Sequence, residues 1–151
     1  MNKRNYVIAL IIIIVDQLTK FLVINKNIEI IPDFFNITYT RNTGAAFGIG
    51  TLNIITIISI LILIAIIAFI IKENKKITHF IPFVLIISGT IGNLIDRIFR
   101  GYVIDFIDIN LFNFPNFNIA DICITTGILV IVFILIKKLM ERRWERCYLI
   151  K

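Results

Sequence analysis

Two aspartates, Asp105 and Asp121, lie near the outer ends of long apolar segments, where an ionised carboxylate is costly to maintain. The short stretch between them would return both to the same membrane face. Paired carboxylates at a water–lipid boundary suit acid/base chemistry on a membrane-borne substrate, one carboxyl holding a proton while the other accepts one. Asp16, Asp96 and Asp108 also lie in or beside apolar segments, and Asp108, three residues from Asp105, matches it in composition. Spacing alone leaves the reacting pair open among these five aspartates.

The elements that must position them are membrane spans. With 58% apolar residues and a mean hydropathy of +0.92, the chain has more apolar surface than a soluble core of this length can bury. Apolar runs over Tyr6–Ile24, Leu52–Ile71, Phe80–Ile95 and Ile119–Ile136 each approach the roughly 20 residues a helix needs to cross a bilayer. Isoleucine favours strands, but continuous runs of this length are not the alternation of a membrane barrel. The expected fold class is all-α, with four transmembrane helices in one integral membrane domain (1–151) and a small β-containing extracytoplasmic region. No internal repeat, low-complexity linker or second domain is visible.

The cations orient the spans. Lys3, Arg4, Lys72, Lys75, Lys76, Lys137, Lys138, Arg142, Arg143, Arg146 and Lys151 fall on one side, against Lys20, Lys26, Arg41, Arg97 and Arg100 on the other. The positive-inside rule then places both termini in the cytoplasm. The net charge of +6 is accounted for by topology, and no basic patch with stacking aromatics points to nucleic acid. Lys3 and Arg4 before an apolar run resemble the start of a secretory signal peptide. Asp16 and Lys20 interrupt that run and no small-x-small site follows, so a retained first helix is expected. Cys123 and Cys147, in the fourth span and in the basic tail, are expected to be free thiols.

The outer loops, 25–51 and 96–118, are longer than the charged inner ones. Phe35, Ile37 and Tyr39 alternate with Asn36, Thr38 and Thr40, the pattern of a half-buried strand. Arg41-Asn42-Thr43-Gly44 then allows a tight turn, and Ala45, Ala46 and Gly48 permit close backbone approach. Counted at about 1.5 Å per residue from Tyr6, Asp16 reaches mid-membrane, and Lys20 one turn further out is placed to pair with it. Gly89 and Gly92 offer a small-residue packing face before Asn93, Asp96 and Arg97. Structural roles compete with chemical ones: Asn118 with Asp121 suits a helix N-cap with a first-turn acid, Asp96 with Arg97 an interfacial ion pair, and Asp16 with Lys20 a buried pair.

Five segments in order, Asp16-Gln17-Leu18-Thr19-Lys20, Arg41-Asn42-Thr43-Gly44-Ala45-Ala46-Phe47, Gly92-Asn93-Leu94-Ile95-Asp96-Arg97, Val103-Ile104-Asp105-Phe106 and Phe117-Asn118-Ile119-Ala120-Asp121, resemble the successive motifs of the bacterial lipoprotein signal peptidase (type II signal peptidase) family. The resemblance implies an aspartic endopeptidase of the bacterial cytoplasmic membrane, acting at its outer face. It would cleave the signal peptide from prolipoproteins just before a cysteine carrying a diacylglyceryl group. By motif position Asp105 and Asp121 would be the catalytic dyad, with Asp108 outside it. Asn42, Gly44, Asn93, Asp96, Arg97 and Asn118 would line or brace the site, and Asp16 and Lys20 would support it. Thr90 stands where the family often has a second glycine. The tail from Lys137 to Lys151 lies beyond the motifs and reads as a helix at the lipid surface.

The resemblance implies no cofactor, and the one histidine, His79, has no Cys/His cluster with it to suggest zinc. The implied partners are a prolipoprotein with its lipid-modified cysteine and membrane lipid, and a monomer is expected. A substrate signal helix would find a groove beside Gly89, Gly92 and the Ile-rich faces, with the strand around Phe35 to Thr40 covering the reacting peptide. Two readings from other classes compete. A proton- or ion-coupled transporter would use the same aspartates, ordinarily near the midplane and with inverted repeats. An assembly subunit would use its polar pairs as interhelical glue.

Overall fold

The computed structural model describes residues 2–44, 52–73, 79–111 and 114–149, with the side chains of 52–53 and 144–149 left aside. Ala45, Ala46, Phe47 and Gly48 of the expected close-approach turn, and Lys75 and Lys76, lie outside the described residues, as do the side chains of Trp144, Arg146 and Cys147.

The four expected spans are α1 (Lys3–Leu22), α2 (Leu52–Glu73), α3 (Ile81–Phe99) and α4 (Ile119–Leu149). Each is long and apolar enough to cross a membrane. Their ends differ from the hydropathy reading wherever backbone chemistry, not polarity, stops the helix. α3 runs past Ile95 because nothing before Gly101, with φ +81°, breaks it; Asp96 and Arg97 therefore lie in its last turn and not in the outer loop. α4 continues through the basic tail, so the expected surface helix is an extension of the span, with about 46 Å of helix in all.

Helix α3 is the hub. It touches α1, α2 and α4, whereas α2 touches α3 alone among the described elements. Half of α3's most apolar window is buried against 6% of α2's, the order expected when lipid, not water, surrounds the outer faces. Close packing on the hub depends on glycine. The α-carbon of Gly89 lies against the Ala120 carbonyl, and a Cβ at Gly127 would come 2.6 Å from the Pro82 carbonyl. Thr90 is accommodated because its hydroxyl donates to Ile86 O at 2.7 Å. The glycine face expected to receive a substrate helix is thus occupied: Gly89 by α4, and Gly92 by Asp16 of α1.

The alternating segment forms β2 (Phe35–Asn42), within a three-stranded antiparallel sheet of order β1-β2-β3, β1 being Asn27–Ile31 and β3 Val103–Ile109. Neither flanking strand was expected. β1 is short, and β3 reads as part of a mixed loop until it has β2 to pair with. Ile37 pairs with Ile107 and Thr40 with Asp105, so Thr38 and Tyr39 together oppose Phe106 in a bulge.

Candidate active site

The bulge decides what faces Asp105. Side chains alternate along a strand, and one extra residue exchanges the faces beyond it. Because of it, Asn42 pairs with Val103 and shares the face of Asp105, and its Nδ2 donates to Asp105 Oδ2 at 2.8 Å. Gly44, in the left-handed region at φ +73°, turns its N–H back to Asn42 Oδ1 at 2.9 Å, which orients the amide. Asp108 is an odd number of residues from Asp105 and faces the other way, taking the Thr38 hydroxyl at 3.1 Å.

Asp121 is positioned by its own helix end. Asn118 is the residue before α4, and its Oδ1 accepts the Asp121 N–H at 3.0 Å while its own N–H donates to Asp121 Oδ2 at 3.2 Å. This reciprocal capping box satisfies two donors and locks the Asp121 side chain against the first turn. The same Asn118 donates Nδ2 to Asp105 Oδ1 at 2.6 Å, so one fully buried residue bonds both carboxylates. The strand-like bridge of Phe117 to Ile107 brings the two segments together.

Behind the pair lies a second layer. Asn93 of α3 donates Nδ2 to Asp121 Oδ1 at 2.7 Å, and its carbonyl end takes Lys20 Nζ at 2.9 Å. Lys20 is fully buried and spends its three protons on Asn93, on Asp16 Oδ2 at 2.9 Å and on Asp96 Oδ2 at 3.0 Å. A buried ammonium with every donor matched avoids the penalty of an unpaired ion. Asp16 Oδ1 in turn accepts the N–H of Ala120, in the first turn of α4, at 3.0 Å. Asp16 is therefore level with the start of α4 and not midway along the bundle, because α1 ends at Leu22 and its final turns lie beside the site. Asp96 pairs with Lys20 and Arg100, not with its neighbour Arg97. Arg97 turns instead toward Asn93 O, at 3.4 Å, and its strongest attractions are to Asp121 and then Asp105.

Burial pushes the Asp105 carboxyl above its ordinary value of 3.8; the bond from Asn42 opposes that shift, the charge of Asp121 adds to it, and the Asn118 bond and Lys20 oppose it. Every residue expected at the site is thus within one connected network: Asp105 and Asp121 at the front, Asn42, Gly44, Asn93, Arg97 and Asn118 around them, and Asp16, Lys20 and Asp96 behind. Two further members were missed. Gln17 donates to Gly92 O at 3.1 Å and to Asp96 Oδ1 at 3.3 Å, and accepts Arg100 Nη1 at 3.1 Å. Its place inside the Asp16–Lys20 segment and the four-residue spacing of Asp96 and Arg100 were the available signals. Among the described residues no group of three or more His, Cys, Asp or Glu is arranged to hold a metal ion.

The family described as signal peptidase (SPase) II matches residues 8–137. The chain is similar to a lipoprotein signal peptidase of Staphylococcus haemolyticus (strain JCSC1435), 41% identical over 91% of this chain and 96% of the relative. It is also similar to the lipoprotein signal peptidase of Staphylococcus aureus (strain JH9), 40% identical over 95% and 97%. Two solved structures of a bacterial membrane enzyme, obtained by the in meso method at 2.3 and 1.9 Å resolution, superpose with TM-scores of 0.79 and 0.78 at 40% identity. They cover 89% of this chain and 88% and 93% of theirs. With a match across most of its length and four helices long and apolar enough to cross a membrane, the chain is a multi-pass membrane peptidase that belongs to the signal peptidase II family.

Proposed function

We infer that this peptidase is an aspartic endopeptidase that removes the signal peptide from diacylglyceryl-modified prolipoproteins. The cut falls just before the lipidated cysteine, at the outer face of the cytoplasmic membrane. One observation carries the reading: Asn118 hydrogen-bonds both Asp105 and Asp121, through Nδ2 at 2.6 Å and backbone N–H at 3.2 Å. Two carboxylates held this way share one proton more easily than they both ionise. Charge balance supports the same state. Lys20 and Arg100 offset Asp16 and Asp96, so Arg97 remains to offset a singly ionised pair.

Asp105 is buried whereas Asp121 is only half-buried, and the more desolvated carboxyl keeps the shared proton, which makes Asp105 the acid and Asp121 the base. Asp121 takes a proton from water as the oxygen attacks the scissile carbonyl, and Asp105 donates its proton to the carbonyl oxygen. The tetrahedral intermediate then collapses, the C–N bond breaks, and the leaving nitrogen takes the proton from Asp121 while Asp105 recovers its own. The dyad and the residues that brace it are complete within a single chain, so a monomer is sufficient for this chemistry. The basic residues gathered at the opposite end of the bundle support cytoplasmic termini and an outward site. Since Gly89 and Gly92 are covered, the signal helix has its access beside α2, which packs on α3 alone among the described elements. The transporter reading is disfavoured because both oxygens of Asp16 and all three Lys20 protons are already engaged, leaving no site there for a cargo cation.

Asp105→Asn and Asp121→Asn, made singly, should each give an inserted protein that accumulates uncleaved, lipid-modified prolipoprotein. Full processing by either variant would remove the dyad assignment.

A further inference from the structure

At the end of the bundle remote from Asp105 and Asp121, a cavity of about 770 Å³ opens between the start of α1, the start of α3 and the middle of α4. The proposed chemistry does not use it. Its lining is graded along α4: Val130, Phe133 and Ile134 form an apolar wall that is open on its outer side, and Lys137 and Lys138 follow it toward the helix end. About 12 Å of helix separates Val130 from Lys138, so the apolar-to-basic order follows that of a phospholipid from acyl chain to headgroup.

Several independent features make the basic end an anion site. Arg4 joins the two lysines, and the single acid of the lining, Glu141, is partly neutralised by Lys137 at 4.0 Å. Two helix N-termini also open here, and neither has a side-chain cap or a first-turn acid, so their positive ends face the cavity unopposed. Finally, Asn5 lines the cavity at 6% residue exposure, and its side-chain amide offers a donor to a ligand oxygen.

We propose that this cavity binds the headgroup of an anionic phospholipid from the leaflet opposite the dyad, with an acyl chain along Val130 and Phe133. The basic start of a substrate signal peptide does not fit here, because Arg4, Lys137 and Lys138 repel it. The site is independent of the peptidase chemistry and needs only a membrane-embedded chain.

The test is retention of phosphatidylglycerol against phosphatidylcholine on the full-length protein in detergent, followed by native mass spectrometry. The wild type should retain phosphatidylglycerol selectively. At about fivefold per cation, Arg4→Gln/Lys137→Gln/Lys138→Gln should weaken it on the order of 100-fold. Lys3→Gln/Arg142→Gln/Arg143→Gln, which removes the same charge from the same end outside the cavity, should change it by no more than about fivefold. Val130→Trp fills the apolar part of the lining while keeping every cation, and should also abolish retention; it decides the matter if the triple variant fails to fold. Equal losses in the two triple variants, retention undiminished by Val130→Trp, no selectivity in the wild type, or displacement by inorganic phosphate as effective as by unlabelled lipid would each overturn the proposal.

Discussion

Gly92→Ala changes no polar group, yet it should disable the site. A Cβ at Gly92 would lie 2.6 Å from Asp16 Oδ2 and 3.2 Å from its Cγ, roughly 1 Å inside ordinary van der Waals contact. A carboxylate at the tip of a free side chain would swing away at little cost. Asp16 Oδ2 is not free, since it holds Lys20 at 2.9 Å and Gln17 at 3.2 Å, and the other oxygen of the same carboxylate holds the first turn of α4. The displacement must pass to Lys20 and so to Asn93, or to α4 itself, and both routes end at Asp121. Overpacking of this kind costs about 1–3 kcal/mol of stability, and a misplacement of about 1 Å at reacting groups costs on the order of 100-fold in rate. The assay is cleavage of a diacylated model prolipoprotein by purified enzyme, with kcat and KM measured separately and thermal unfolding followed in the same detergent. A fall in kcat with nearly unchanged KM is expected. Ile98→Ala, on a lipid-exposed position of the same helix, should remain within about twofold of wild type. A folded Gly92→Ala enzyme with wild-type kcat would refute the rigid connection between Asp16 and Asp121.

Lys20→Met leaves Asp16 and Asp96 buried without their shared cation, and should cost about 3–5 kcal/mol, read as a lower unfolding temperature or loss of folded protein. Asp108→Asn should process substrate within about twofold of wild type, because its side chain lies on the other face of β3; a loss as large as that of Asp105→Asn would show that the face assignment is wrong. For pH, the sign follows from burial. Asp105 binds its proton more tightly in the folded protein than at its ordinary value of 3.8, so the folded state holds more protons and loses relative stability as pH rises above that value. The stability of wild type minus that of Asp105→Asn should therefore fall as pH is raised from about 4 through the raised folded value, then level off. A difference that grows over this range would contradict the desolvation of Asp105.

The helices were legible because lipid imposes a one-dimensional requirement, a long apolar run, that each segment meets by itself. Their ends were less so: the hydropathy of α3 fades at Ile95, but its hydrogen bonds continue to Arg100, whose N–H donates to Asp96 O. The strand at Phe35–Asn42 was legible from alternation. Its partners were not, since β3 carries Asp105 and Asp108 among its apolar residues and acquires its strand character from pairing with β2. Among the polar residues, short spacings were readable. Asn118 to Asp121 gave a cap, and Asp16 to Lys20 gave an ion pair. The neighbouring charges of Asp96 and Arg97 misled, because adjacent helical residues diverge by about 100° while residues four apart stack. Asp96 accordingly pairs with Arg100.

What the sequence by itself determined was the set of membrane spans, their charge asymmetry and an ordered set of motifs that resemble one family. Each is a property of a contiguous segment, and so survives without knowledge of neighbours. What only the tertiary structure decided was which groups meet. A single bulge between Ile37 and Thr40 turns Asn42 toward Asp105, while the pairing that makes β3 a strand sends Asp105 and Asp108, three residues apart, to opposite faces. Three helices converge on the ammonium of Lys20 and the cap of α4. One buried amide, Asn118, does both jobs that its residue type left open, ending a helix and joining two carboxylates, because the start of α4 and the strand carrying Asp105 are packed within a hydrogen bond of each other.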